Sequence, residues 1–386
     1  MMMNKLYWGW ATDESMRLGG ESGGFVTALL RSLIDDYDDV IVIRKVGTIF
    51  EGSVVSLSSA DETKRVQGAL HSVCIELSHY IRKGRRTAIV LKPCDARAVI
   101  ENIKRNHVDR DEVLLIGLNC GGTLPPVPAM NMLSSQYDLQ PDDVVKEEID
   151  KGNLIFTTTA GDEVSKSIDD LEASGYGRRE SCRYCDVKIP TMCDLACGNW
   201  GTPSGKNMTF VEVCTTHGMD VLTNAIDAGA VDVKEPSEKL STIRTKVEGA
   251  MKKLARTWDK KLLGRMRDMG EAERLEHIQR TLAPCIGCYG CRKACPVCKC
   301  SDDCKCMQFA PDDVYPISLF HSIRLLHLME SCIGCGNCTD VCPVDIPLAH
   351  LHQLFARSYE SKTGYKPGMS VDDVPPLSRG DFPEGY

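Results

Sequence analysis

The sequence has no apolar run approaching the roughly 18 to 20 residues of a membrane helix; VLLIGL at 113–118 is among the longest. Its first residues, MMMNKLYWGWATDESMR, lack the apolar core of a signal peptide. It has no excess of Lys and Arg. The net charge is −8 and the pI about 5.7, which argues against nucleic acid as the main partner. It carries neither G-x-G-x-x-G nor a P-loop. No Ser/His/Asp triad or paired carboxylates ask for acid–base work, and the nine histidines are scattered. The expectation is a cytoplasmic chain with no membrane span, long enough at 386 residues for two or three domains. What it has in abundance is cysteine, 20 residues in all. Structural disulfides are rare in a reducing compartment, so metal ligation is the leading explanation.

The cysteines are uneven. Residues 1–181 hold three (Cys74, Cys94, Cys120), 182–214 hold five, 215–284 none, and 285–342 twelve. The cysteine-poor body reads as α/β. VIVIRKV (40–46), TAIVLK (87–92), VLLIGL (113–118), LIFTTT (154–159) and TFVEVC (209–214) are short runs suited to buried strands. Helical patterns at 25–37 and 95–105 lie between them. In the cysteine-free connector, Leu240, Ile243, Val247, Met251, Leu254, Trp258, Leu262, Met266 and Met269 recur at steps of three and four. That predicts one apolar face of a long helix or helical pair. Its polar face, rich in Lys and Arg, reads as a solvated surface or as a dock for an acidic partner.

Cys285, Cys288, Cys291 and Cys295 follow C-x2-C-x2-C-x3-C, with Pro296 next. Cys332, Cys335, Cys338 and Cys342 repeat the spacing, with Pro343 next. Two such runs predict a small α+β di-cluster ferredoxin module of the bacterial type with two 4Fe–4S clusters. Each x2 loop lets adjacent thiolates reach three irons of one cubane, and the fourth cysteine projects toward the other. Cys285, Cys288, Cys291 and Cys342 are therefore assigned to one cluster, and Cys332, Cys335, Cys338 and Cys295 to the other. Zinc is the competing ligand chemistry for C-x2-C pairs, but two full runs each closed by proline disfavour it. Between the runs, Cys298, Cys300, Cys304 and Cys306 stay open as a further metal site, reduced thiols or alternative ligands.

A second patch, CRYCDVKIPTMCDLACGNWG (182–201), offers Cys182, Cys185, Cys193 and Cys197 as a local set. Cys94 and Cys120 compete with them, because each ends a strand and strand C-termini in α/β sheets converge on the ligand crevice. Cys74 and Cys214 read as ordinary buried thiols. Near the N-terminus, LGGESGGFVTALL (18–30) places four glycines before a helix, as a phosphate site or a plain tight turn would.

Read together, these segments resemble the family of flavin-containing β subunits of coenzyme F420-reducing hydrogenases and formate dehydrogenases. GGESGGFVTALL resembles the family's glycine-rich flavin segment. RVQGALHS (65–72) is similar to its R-x-Q-G-S-K-Y stretch, and IVLKPCDARA (89–98) to its G-T-P-C-Q element. LIGLNC (115–120) resembles its strand ending in cysteine. CRYCDVKIPTMCDLACGNWG is similar to its C-x2-C-x-D and A-D-I-S-x-G segment. The order of modules fits the archaeal formate dehydrogenase branch.

The resemblance implies a mixed-sheet FAD- and F420-binding domain (1–235) with one 4Fe–4S cluster, a helical connector (236–283), the ferredoxin module (284–352) and a tail (353–386). The family's cysteines fall on Cys94, Cys120, Cys182 and Cys185. The implied flavin neighbours are Gly19, Gly20, Ser22, Gly23, Gly24 and Thr27, then Gln67 and Gly68, Lys92 and Pro93, and Asn199 and Gly201. Arg178 and Arg179, just before Cys182, are expected to form a basic lip for the anionic tail of the deazaflavin. The implied partner is a molybdenum or tungsten formate dehydrogenase α subunit. A heterodisulfide reductase or hydrogenase complex is the further one. Electrons would cross the clusters to FAD and leave as hydride on coenzyme F420.

Overall fold

A computed structural model describes residues 5–66, 70–203, 205, 207–300, 305–308 and 317–379. Its strands are β1 (Lys5–Ala11), β2 (Asp39–Lys45), β3 (Gly52–Ser56), β4 (Thr87–Leu91), β5 (Val113–Leu118), β6 (Val144–Asp150), β7 (Asn153–Thr158), β8 (Glu163–Ser167), β9 (Leu195–Gly198), β10 (Thr209–Val213) and β11 (Val231–Lys234). Eight of them form one mixed sheet in the order β11-β1-β10-β9-β5-β4-β2-β3, and β6, β7 and β8 form a small second sheet. The five runs read as strands from sequence fall on β2, β4, β5, β7 and β10.

The centre of the large sheet is parallel: β2 with β4, β4 with β5, β5 with β9. Strands buried on both faces need apolar residues at every position, which is why VLLIGL shows no alternation. Leu114 and Ile116 point into one core with Phe25, Leu29 and Val211, under the helix Phe25–Leu33. Val113 and Leu115 point into another with Ile89, Val99 and Ile100, under the helix Pro93–Lys104. The parallel strands all end at the same edge. That edge therefore carries Lys92–Cys94, Asn119–Cys120 and Asn199–Gly201.

The connector is a helical pair, Glu238–Asp268 and Glu271–Leu282. Met266 and Met269 of the expected face are buried, but Ile243 is 37% exposed. No described helix is long and apolar enough to cross a membrane.

The cysteine-dense module departs from the α+β expectation. Among its described residues there are helices and turns but no strand. Its core is built by Phe320, Leu325, Leu351 and Leu354 from the helices Ile317–Leu328 and Leu348–Thr363, packed on Leu263 of the connector. Helices supply the apolar surface that a short hairpin would otherwise provide. The second of these helices also runs through the boundary expected at residue 352. Beyond it the tail returns to the body, where Gly368 N–H and Tyr365 Oη bond Glu101 at 2.7 and 2.9 Å.

Candidate iron–sulfur and flavin sites

The two ferredoxin runs fold as near copies. Gly287 and Gly334 both adopt left-handed backbone (φ 69° and 72°), and so do Tyr289 and Gly336 (φ 55° and 84°). Positive φ lets each x2 loop curl its thiols inward. Cys285, Cys288, Cys291 and Cys342 line a single hollow together with Phe320, His321 and Ile346. This quartet mixes three cysteines of the first run with the last of the second. His321 Nε2 lies 3.3 Å from Cys285 Sγ, and the Ile346 N–H donates to Cys342 Sγ at 3.4 Å.

The other quartet converges in the same crossed manner. Burial pushes the Cys335 thiol well above the thiol range, and Cys295, Cys338 and Cys332 push it further. Burial likewise raises Cys295 to about 12, against the pull of Arg324, with Cys298 and Cys332 adding. Gln353 Nε2 donates to Cys332 Sγ at 3.4 Å. Buried thiols that raise one another need cationic charge among them to exist as thiolates, and iron supplies it. N–H donors on sulfur suit the same centre. The residues therefore fit two clusters.

A third set forms at the C-terminal edge of the sheet. Cys94 opens the helix after β4, and Cys120 follows β5. Cys182 and Cys185 come from the turn packed over both. Burial raises Cys120 to about 11, with Cys182 and Cys185 adding and Lys188 opposing. Cys94 is raised by burial and Asp95, then by Cys120 and Cys182. Burial opposes the Cys182 thiolate too, yet Arg179 and two bonds from Thr123 at 3.5 Å bring it below the ordinary thiol. The buried Lys188 sits beneath the set, its carbonyl accepting Cys120 N–H at 2.9 Å. Four thiols ringed by Arg179, Lys188 and Lys92 match an anionic cluster.

Cys193 and Cys197 do not join that set. Cys197 points into the core under the helix Phe25–Leu33 and Cys193 into the core on the other face of the sheet. Both are fully buried, and burial raises both thiols. Cys193 sits in the turn before β9 and Cys197 within the strand, so the turn places them on opposite faces of the sheet. Cys74 donates to Leu124 O at 3.0 Å, and Cys214 is 2% exposed. Cys304 lies outside the described residues, while Cys298 Sγ accepts from Arg324 at 3.4 Å.

The flavin expectations divide. Gln67 and Gly68 lie outside the described residues. The glycine-rich segment does reach the C-terminal edge: Ala11 N–H bonds Gly23 O at 2.8 Å and Thr209 Oγ1 bonds Ser22 O. Its glycines are required by the chain's packing on itself. A Cβ on Gly23 (φ 72°) would fall 2.1 Å from Asn207 O, and one on Gly24 (φ 64°) 2.3 Å from Met16 O. Gly19 faces open space and Thr27 is half-buried. The Lys92 ammonium is already occupied by Asp95 and Ile75 O, both at 2.8 Å, and Pro93 is buried at the helix start. Gly201 is held by Trp8 Nε1 at 3.1 Å and abuts Leu240, whereas Asn199 is exposed.

One residue that sequence reasoning missed fits a flavin better. Asn119, immediately before Cys120, has both Nδ2 and Oδ1 buried with no hydrogen-bond partner among the described residues. Unsatisfied buried amides are rare, and a donor and acceptor side by side suit the polar edge of a flavin ring. The Gly198 backbone opposes it, where a Cβ would strike Nδ2 at 2.3 Å. Its place beside the cluster cysteine was the available signal.

Arg178 and Arg179 are not a lip. They are 3% and 6% exposed. Arg178 forms a buried ion pair with Glu172 at 2.6 Å and donates to Gly121 O. Arg179 crosses into the ferredoxin module and bonds Asn337 Oδ1 at 3.0 Å and the carboxylate of Asp340. Both arginines pair with carboxylates of the chain itself, which a ligand-facing lip does not anticipate.

Family models agree with this division. Residues 6–82 match the N-terminal and residues 84–239 the C-terminal model of the coenzyme F420 hydrogenase/dehydrogenase β subunit, and residues 327–347 match a 4Fe–4S binding domain. The chain is 39% identical over 376 residues to the F420-dependent formate dehydrogenase subunit beta of Methanocaldococcus jannaschii, covering 95% of this chain and 97% of that one. It is 38% identical to the F420-dependent formate dehydrogenase 1 subunit beta of Methanococcus maripaludis, covering 99% and 100%. A coenzyme F420 hydrogenase subunit beta from Methanococcus voltae is 24% identical over 58% of this chain and 81% of its own length. In fold, the chain is similar to one in the F420-reducing [NiFe] hydrogenase complex from Methanosarcina barkeri, with a TM-score of 0.57 and 16% identity over 67% of this chain and 92% of that one. The chain belongs to the coenzyme F420 hydrogenase/dehydrogenase β subunit family.

Proposed function

We propose that this chain is the β subunit of an F420-dependent formate dehydrogenase, an oxidoreductase that carries three 4Fe–4S clusters and FAD and reduces coenzyme F420. The observation that carries the reading is the crossed cysteine pattern combined with near full-length similarity to two formate dehydrogenase β subunits. A bound flavin would supply the exchange between single electrons and a hydride.

The placement of the chain's own residues supports an order of sites. Cys288 is exposed, so the quartet of Cys285, Cys288, Cys291 and Cys342 faces a catalytic α subunit that oxidises formate at molybdenum or tungsten. Cys295, Cys332 and Cys335 pack with Cys94 around Ala98 and Ile333, which brings the second ferredoxin set against the third. Cys120 follows Asn119, so the third set would adjoin a flavin held there. Asn119 would hold the ring, the glycine turn would border it, and half-buried Lys92 with buried Lys188 and Arg179 would balance the charge of a cluster. A heterodisulfide reductase or hydrogenase complex is the further partner.

The test is anaerobic reconstitution of the purified chain with iron, sulfide and FAD. The reading requires about 12 irons per chain and oxidation of reduced F420 with a viologen acceptor. About 8 irons, or no FAD bound, would overturn the corresponding part.

A further inference from the structure

Two arginines are buried where neighbouring cysteine sets meet. Arg324 is 1% exposed, among the most deeply buried large side chains described. Its guanidinium donates to Cys291 O at 3.3 Å and Cys298 Sγ at 3.4 Å, and its plane sits 5.5 Å over Phe320. It thus lies between Cys291 of the first set and Cys298, whose N–H bonds the carbonyl of Cys295 of the second set at 3.2 Å. Arg179 occupies the corresponding place one step on. Its backbone opens the turn that carries Cys182, with Cys182 N–H donating to Arg179 O at 2.9 Å. Its guanidinium reaches Asn337 and Asp340, inside the loop that holds Cys335 and Cys338. A Cβ on Gly336 would come 3.1 Å from its Nη2.

In both arginines Nε is buried with no hydrogen-bond partner among the described residues. A buried cation with an unspent donor is costly unless something anionic completes it. Arginine is the one cation that burial does not neutralise, so each is a fixed positive charge.

We propose that Arg324 and Arg179 are positioning residues interleaved with the electron route, Arg324 between the first and second cluster sites and Arg179 between the second and third. Each lowers the cost of an extra electron on the two sites it separates. The inference rests on the three-cluster reading above. Every step is one electron leaving one site and arriving at the next, with no bond made or broken, and formate and F420 are the terminal reductant and oxidant of the proposed activity.

The test is a redox titration of the full chain followed by electron paramagnetic resonance, with iron and FAD content measured in parallel. Arg179→Gln should cut the reduced fraction at fixed poise roughly tenfold at the second and third sites and leave the first unmoved. Arg324→Gln should do so at the first and second and spare the third. The Lys variants keep the charge and should stay near wild type. Equal shifts at all three sites, unmoved titrations in iron-replete protein, or Lys variants that shift as far as Gln would overturn the proposal. If the Gln variants lose iron, Asp340→Asn decides for Arg179. Asp340 is 41% exposed, and its neutralisation leaves the arginine uncompensated, so the reduced fraction should rise at the second and third sites. No rise there rejects the proposal. A preparation with no iron signal at all rejects instead the reading on which it rests.

Discussion

Ile286 and Ile333 hold the same place in the two ferredoxin runs, one residue after the first cysteine, yet Ile286 is 63% exposed and Ile333 is 5% exposed. The local backbone is the same, down to the paired left-handed residues. What differs is the surface each run meets. The second run is pressed against the body: Arg97 Nη1 donates to Ile333 O at 2.8 Å, Ile333 packs with Ala98, and Gly336 is wedged beside Ser181. The loops of the first run, 285–291, rest on their own module and the connector, and the run meets the body at its end, where Cys295 packs by Ala98 and Asn102 Nδ2 donates to Pro296 O at 3.1 Å. One motif thus serves once as an outward face and once as an internal joint, and context outside the motif makes the difference.

The largest effect that tests this comparison is a charge at the two isoleucines. Ile333→Glu places a carboxylate among Ala98, Val297 and Leu328 and should cost more than about 4 kcal/mol or prevent assembly altogether. Ile286→Glu should change stability by less than about 0.5 kcal/mol. Denaturant unfolding of both variants measures the contrast. Equal effects would mean that the two faces are not distinct.

Next come the glycines. A Cβ on Gly336 would meet Ser181 Oγ at 2.3 Å in a left-handed backbone, whereas one on Gly287 meets nothing within 4 Å. Gly336→Ala should therefore cost about 3 kcal/mol, clash and backbone strain together, and Gly287→Ala about 1 kcal/mol from backbone strain alone. The same denaturant series reads both.

How much of this was legible in the sequence follows from how local each signal is. The ferredoxin spacing is covalent and short-range, so both runs were legible, and the structure gathers Cys342 with Cys285, Cys288 and Cys291 around one hollow. The central strands β2, β4, β5 and β10 were legible because burial on both faces writes continuous apolar runs, whereas β9 between them, only LACG, is too short to show one. β1, β3 and β11 were not identified: antiparallel neighbours toward the sheet edges, they carry mixed sequences such as GSVVS and VDVK. The third cysteine set was legible only as a choice among six, because its members lie up to 91 positions apart, from Cys94 to Cys185. What excluded Cys193 and Cys197 was tertiary packing into two opposite cores. Arg178 and Arg179 were misplaced for the same reason, since their carboxylate partners are Glu172 and a residue of a different module, Asp340.

A smaller effect tests how the tail secures the buried joint. Glu101 is fully buried and accepts from Gly368 N–H and Tyr365 Oη, while Arg97 also holds Pro367 O at 2.8 Å. Burial opposes the Glu101 carboxylate, but Arg105 and Lys104 hold it below the usual 4.5. Its folded value is depressed, so its contribution is present above 4.5 and is lost as pH falls through the lower folded value. Acid should release the tail and then loosen the second run while the first keeps its protection. Hydrogen exchange at pH 6 and at pH 3 should show about 1–2 kcal/mol less protection at 332–342 in acid. Glu101→Gln should remove most of that pH dependence. Equal loosening of 285–295 would break the asymmetry.

The smallest expected effect concerns a position where the outward run departs from its twin in backbone chemistry. Tyr289 stands where the second run has Gly336 and holds a left-handed backbone at φ 55°, a conformation that costs a side chain roughly 1 kcal/mol. Its ring meets Phe320 edge-on at 5.0 Å, a contact worth about 0.5–1.5 kcal/mol, and helps to line the hollow of the first quartet. Strain and contact nearly offset, so Tyr289→Gly should move stability by less than about 1 kcal/mol in either direction. A ring retained at no net gain in stability is explained by what it covers. Without it, the outward quartet should lose iron to a chelator faster than wild type while the inner quartets keep theirs. If the chelation rates are unchanged, the ring does not shield that face.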